Sequence, residues 1–504
     1  MKIAKITGHS RFKKKTQFYF IGLNFLTIVV GILTLLYIIA YNGSNDFIIL
    51  ANSGLPIVLL VTLLGVTIFR IKKEKILFWC PLTWFCLGAA LAFGYGSSIW
   101  YFADQDAIDE ARRLYDATDR QILGTNILNS LSILFILSGY WLGIKWFSSG
   151  KSIIATEEFN VFSNIRNIKR LLTILLPIYI PYELFIQLPT LYGLSSFTLP
   201  GFLNTLSKLG DVIVLLMFYL WGKGIKRYAY YGTFICLLIF ISAIPSFGKA
   251  SMLAPFLAAT LGYYWATLNI KVFFYGAALI FALFTIVSPI SVIGRVSTFG
   301  VNEEKVSAAM VSDVLLKVVD EKFGDTANTY EEKKNDTFWK RNSFNNVQSY
   351  LMEAYDNGMP GTSLNAFFIA LIPRVVWPDK PINSVDGLAL DAMVKGLADS
   401  KSQLAPTFNG EAYWNGGWGM VGLVSILIGM QFARFATSAH RYLSKGDIRY
   451  FFIALMGIQF GLTVESWIIA KYVGGYVIIL CLWLIIKWSV PWKEDNTSKK
   501  KFSI

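Results

Sequence analysis

Gln17 to Tyr41 reads QFYFIGLNFLTIVVGILTLLYIIAY, a run of 25 residues without a single charged side chain. Wound as an α-helix at about 1.5 Å per residue, it exceeds the roughly 30 Å hydrocarbon layer of a bilayer. Lys2, Lys5, Arg11, Lys13, Lys14 and Lys15 precede it in the manner of a signal peptide, but the apolar stretch is longer than a cleaved signal needs. We therefore expect a retained first membrane span with its basic end in the cytoplasm.

Outward from this run, apolar stretches of roughly 18 to 25 residues recur near positions 29, 59, 87, 134, 182, 213, 238, 259, 282, 427, 460 and 479. The expected fold is an all-α polytopic membrane protein with about twelve transmembrane helices. Composition agrees. Of 504 residues 55% are hydrophobic and only 15% charged, and the mean hydropathy is +0.51, too little polar surface for a water-soluble globule. The net charge of +14 does not point to nucleic acid, because Lys and Arg lie in short clusters between apolar runs and not along one face. The clusters Arg70 to Lys75, Lys145 to Arg170, Lys223 to Arg227, Lys271, Arg434 to Arg449 and Lys493 to Lys501 fall in alternate connections, which puts both termini in the cytoplasm. Cys80, Cys86, Cys236 and Cys481 sit inside apolar runs without metal-ligand spacing and read as buried thiols.

One connection differs from the rest. Between Gly294 and Gly416 there are 12 Lys/Arg and 16 Asp/Glu, a net charge of −4 in a chain whose remainder sums to +18. By the positive-inside rule this loop faces outward. The expected organisation is nine spans over residues 1–293, a large periplasmic loop with short helices over 294–416, three spans over 417–489 and a cytoplasmic tail over 490–504. Within the loop, Ser307 to Val319 has helical periodicity and Glu321 to Asn346 reads as polar and irregular. Thr362 to Val376 reads as an interfacial or re-entrant helix too short to cross.

Two strings in the distal half of the loop mix charges, aromatics and turn formers: Ile372 to Pro381, IPRVVWPDKP, and Ala405 to Gly419, APTFNGEAYWNGGWG. By residue type alone, an aromatic belt with turns at headgroup depth accounts for them as well as a binding site does. These strings resemble those of the oligosaccharide repeat-unit polymerases of the Wzy type, with weaker echoes at Phe247 to Lys249 and Gly294 to Gly300. The resemblance implies a GT-C-like fold that joins lipid-linked sugar repeats at the periplasmic face of a bacterial inner membrane. Polyprenyl pyrophosphate would be released, and the partners would be a polyprenyl-pyrophosphate-linked oligosaccharide and membrane lipid. A chain-length regulator protein is left open as a further partner. Some family members carry Arg-x10-Gly in outward loops; none of Arg295, Arg341 and Arg374 has Gly eleven residues later, so those loop roles are not transferred.

The chemistry can also be asked of the residues directly. A departing pyrophosphate needs cations, and an attacking sugar hydroxyl gains from a carboxylate that takes or orients its proton. Arg295 and Arg374 are the expected pyrophosphate clamp, against the alternatives of snorkelling for Arg295 and of a headgroup anchor or an ion pair with Asp379 for Arg374. Glu411, between Gly410 and Ala412, is the candidate base, against a structural carboxylate paired with Arg374 or Lys380. Lys249 is a candidate phosphate contact, while Trp377, Asp379, Lys380, Tyr413 and Trp414 complete the expected sugar and phosphate surface. No cofactor is expected, and no carboxylate spacing demands a divalent metal. Glu183, Lys208 and Asp211 are charges within apolar runs of the kind a transporter would use, which keeps a lipid-oligosaccharide flippase as an alternative. An O-antigen ligase is the other alternative; the resemblance associates ligases with an outward histidine, and His9 and His440 both fall in expected cytoplasmic segments.

Overall fold

A computed structural model describes residues 17–102, 105, 108–109, 117–148, 165–194, 207–267, 269–298, 308–323, 343–372, 377, 390, 393–394, 406–443 and 447–489. Its principal helices are α1 (Leu23–Tyr41), α2 (Asn45–Lys73), α3 (Pro81–Ala89), α4 (Asp119–Phe147), α5 (Ile165–Tyr182), α6 (Ser207–Gly222) and α7 (Arg227–Ala243). They continue with α8 (Lys249–Thr267), α9 (Ile270–Thr298), α10 (Ala308–Phe323), α11 (Asn345–Asp356), α12 (Phe408–Leu443), α13 (Phe451–Leu462) and α14 (Gly475–Ser489). No strand occurs among the described residues. Among the described residues eight helical stretches are long and apolar enough to cross a membrane, so the chain is a helical, multi-pass membrane protein. Each of the expected centres falls in a helix of its own, but α6 and α13 are shorter than a full crossing, α8 is less apolar, and α3 and α14 gain length only from the π-helical turns Ala90–Tyr95 and Ile469–Gly474 that adjoin them.

The chain divides into two compact units: residues 1–161, 332–372 and 380–483 form one, and 162–331, 373–379 and 484–504 the other. The first is built on α1 to α4 with α11 to α13. Its most extensive helix pair is α4 with α12, where Gly139 lies on the Ile426 carbonyl and Gly429 on the Ile136 carbonyl. A side chain at either glycine would strike the facing backbone, and such close approach is what holds helices together where lipid is as apolar as leucine. Thr118 and Gln121 start α4 with a reciprocal capping box.

The sequence reading of Glu321 to Asn346 as irregular needs correction at both ends. Glu321 to Phe323 close α10, and Asn345 opens α11, a polar helix inside the first unit; residues 324–342 lie outside the described ones. What buries α11 is a chain of amides. Asn345 donates to Thr125 Oγ1 (2.7 Å) and Asn126 Oδ1 (3.0 Å), accepts from Ser97 (2.8 Å), and Asn126 donates onward to Asn52 (2.9 Å). One turn along, Gln348 Nε2 donates to Asn129 Oδ1 (2.8 Å), Thr407 Oγ1 (2.7 Å) and Asn409 Oδ1 (3.1 Å). Buried amides that satisfy one another give up little on leaving water, and their directionality fixes where α11 sits.

In the second unit α5 carries Pro177 and Pro181 and runs into a π-helical turn, Glu183–Gln187. Proline lacks the N–H of a regular helical ladder, and the wider turn takes up the resulting misfit. Between α7 and α8, Phe247 adopts a left-handed backbone (φ 46°), and its carbonyl accepts from Ser291 on α9 (2.6 Å). The ring of Phe247 packs with Ile290, Ile293, Val311, Val314 and Val318, joining α9 to α10.

Candidate functional site

The second motif string is helical from Phe408, nine residues before the span expected from 417. The expected boundary nevertheless marks a real break: Gly416 is extended and Gly417 left-handed (φ 59°), so α12 kinks there. A Cβ on Gly417 would also press on the Tyr355 ring, so both backbone and space call for glycine. The short turn ahead of the break is enclosed by protein.

Glu411 is fully buried. One carboxylate oxygen accepts from the Ser363 hydroxyl (2.7 Å) and the other from the Ile468 N–H (2.5 Å). Asn415, one turn later, donates to Ser363 Oγ (2.9 Å) and accepts from the Leu364 N–H (3.1 Å). Glu411 thus fastens α12 both to the turn Ser363–Ala366 and to the chain entering the last helix. Tyr413 and Trp414 are buried as well. The Tyr413 hydroxyl donates to Asp356 (3.1 Å) while its ring meets Tyr355 and Trp418 edge to face, and Trp414 Nε1 donates to the Met359 carbonyl (3.0 Å). Their faces are covered by protein.

The stretch 463–467, between α13 and the π-helical turn Ile469–Gly474, is not helical. An isolated antiparallel bridge joins Thr407 to Glu465, with Phe408 N–H donating to Val464 (3.3 Å) and Ser466 N–H to Pro406 (3.0 Å). Glu465 is exposed. Lys471 Nζ donates to the Thr463 carbonyl and to the Tyr472 hydroxyl. Irregular backbone at a helix break inside a membrane bundle persists where it is buried in protein or lines a cavity.

In the second unit, Lys249 opens α8, its ammonium donating to Ser288 Oγ (2.8 Å) above the Phe284 ring. Arg295 lies in the last turns of α9, directly after Gly294, against which Phe247 packs. The two weaker motif echoes therefore meet around Phe247. Trp377 is exposed, whereas Arg374, Asp379 and Lys380 lie outside the described residues, as does the Arg295 side chain. Cys80, Cys86 and Cys236 are buried free thiols, and no cluster of three or more potential metal-ligating residues occurs among the described residues.

Sequence reasoning missed Ser363, the Ile468 N–H and the whole amide network. The network did leave a trace: Asn126 and Asn129 on an apolar span, and Asn345 and Gln348 on a polar loop, each place two amides on one helix face. No protein-family model matches the chain, and no curated protein and no solved structure matches it either.

Proposed function

We propose that this chain polymerises lipid-pyrophosphate-linked oligosaccharide repeat units at the periplasmic face of a bacterial inner membrane, with a GT-C-like architecture and both termini cytoplasmic. The acceptor hydroxyl oxygen bonds to the anomeric carbon of the donor sugar, and the bond from that carbon to phosphate breaks. The electron pair leaves on polyprenyl pyrophosphate, and the acceptor proton passes to a base or to water. Arg295 and Arg374 act as the pyrophosphate clamp, with Lys249 as a further phosphate contact and Trp377, Asp379 and Lys380 as substrate-binding residues. Glu411 takes or orients the acceptor proton, its carboxylate held by the Ser363 hydroxyl and the Ile468 N–H with a lone pair left on each oxygen, and Tyr413 and Trp414 complete the sugar surface.

The observation that carries the reading is the string APTFNGEAYWNGGWG, whose glutamate ties a kinked membrane helix to a non-helical connection. A second reading, a lipid-oligosaccharide transporter, is favoured by Glu183, a carboxylate buried within a membrane helix. Purified protein in nanodiscs, incubated with a lipid-pyrophosphate-linked repeat, is expected to yield a ladder of longer oligomers together with free polyprenyl pyrophosphate. Translocation of the repeat without any ladder would replace the polymerase by the transporter, and transfer of finished glycan to an unrelated acceptor would replace it by a ligase.

A further inference from the structure

Where α5 gives way to its π-helical turn, Leu184, Phe185 and Ile186 are exposed, while the side chain of Glu183 beside them is buried. Its Oε2 has no hydrogen-bond partner among the described residues, and none of them forms an ion pair with it. The hydroxyls of Tyr179, one helical turn earlier, and of Ser242 on α7 are its polar neighbours. A side chain at Gly210 of α6 would strike the Tyr179 hydroxyl, so that hydroxyl lies against α6 next to Asp211. The other titratable groups around the carboxyl are Tyr182 on α5, Asp211 on α6 and Cys236 on α7; the Lys208 side chain lies outside the described residues.

An ionised carboxylate held out of water with an oxygen left unbonded is strongly disfavoured. A second carboxyl close by sharpens the problem, because two like charges at one site do not both ionise. A divalent metal ion would relieve the charge only inside a shell of about six oxygens, and the side chains here offer one carboxyl and two hydroxyls. A proton asks for far less: the acid O–H donates to one hydroxyl while the carbonyl oxygen accepts from the other.

We propose that Glu183 is an intramembrane proton-binding site, a carboxylic acid that keeps its proton at neutral pH and shares it with the Tyr179 hydroxyl. The site is independent of the polymerase reading, and it gives the second unit a carboxyl open to modification by a lipid-soluble carbodiimide. In that reaction the acid proton moves to a carbodiimide nitrogen as the carboxyl oxygen bonds to the central carbon, and the adduct rearranges to a stable N-acylurea with nothing lost. Only the protonated form starts it.

Full-length protein in phosphatidylcholine nanodiscs, in a sodium-free buffer at neutral pH, is compared with Glu183→Gln by infrared difference spectroscopy. Wild type should show the carbonyl stretch of a protonated carboxyl, shifted in heavy water and lost in Glu183→Gln. Tyr179→Phe should keep that band but move it to higher frequency, as expected when a hydrogen bond to the acid is removed; an unmoved band overturns the part given to Tyr179. A carboxylate band in place of the acid band overturns the proposal. Should Glu183→Gln fail to stay monodisperse, wild type treated with dicyclohexylcarbodiimide decides by peptide mass mapping. The adduct should sit on Glu183 and be lost as the buffer is made alkaline, and an unmodified Glu183 overturns the proposal. Protection of Glu183 by added sodium chloride but not by choline chloride would give the site to a metal cation and overturn it as well. Because neither readout uses the polymerisation reaction, a missing oligomer ladder leaves the proton site standing, and a normal ladder does not rescue it.

Discussion

Two buried glutamates show how differently the units of this protein treat a charge. In the first unit Glu411 is 0% exposed, and each of its oxygens accepts a hydrogen bond from protein. In the second, Glu183 is 2% exposed, yet its Oε2 has no hydrogen-bond partner among the described residues. The hydroxyls of Tyr179 and Ser242 are its polar neighbours. A carboxylate bonded on both sides acts as a fastener, and removing it strands its donors. A carboxylate left short of partners contributes little to holding helices together.

This contrast can be broken most easily at Glu411. Replacing it by Ala leaves the Ser363 hydroxyl and the Ile468 N–H buried without that acceptor, and we predict a loss of about 3 to 5 kcal/mol, the sum of two buried donors left unsatisfied. Thermal unfolding in detergent should show it; an unshifted melting curve would mean that Glu411 fastens nothing. Next in size, Gln348→Leu removes a donor shared by Asn129, Thr407 and Asn409 and should cost about 2 to 3 kcal/mol. Limited proteolysis near α11 should then accelerate, and resistance equal to wild type would show that the amide chain does not hold the helix.

Gly417→Ala forces a side chain into a left-handed backbone against Tyr355, with an expected penalty of about 1 to 3 kcal/mol. A neutral outcome would mean that the kink in α12 can straighten freely. The smallest stability effect is expected from Glu183→Gln, within about 1 kcal/mol of wild type, because little hydrogen bonding is lost. Repeat-unit translocation and oligomer length should both be measured for it. A destabilisation as large as that of Glu411→Ala would erase the distinction between the two glutamates.

Much of the helical plan was legible because hydrocarbon thickness sets a length that composition reveals directly: each expected span centre lies in a helix. Gly416 and Gly417 were legible as a boundary but not as a kink inside one helix, since glycine signals a change of direction without saying whether helix resumes. The reading of Glu321 to Asn346 failed at Asn345 because polarity was taken as exposure, whereas Asn345 is buried by pairing with Ser97, Thr125 and Asn126 from distant spans. Glu411 stood out by its motif, but nothing in its neighbours along the chain announced the serine and the backbone amide that hold it; Arg374 and Lys380, the cations weighed as its partners, lie outside the described residues.

What the order of amino acids determined by itself is membrane residence and helical class, because those follow from the free energy of taking apolar segments out of water, a sum over neighbours in the chain. Which buried polar groups are fastened and which are left free was decided only in three dimensions. Hydrogen bonds reach a few ångströms and depend on direction, and the donors that close on Glu411 come from residues 48 and 57 positions away.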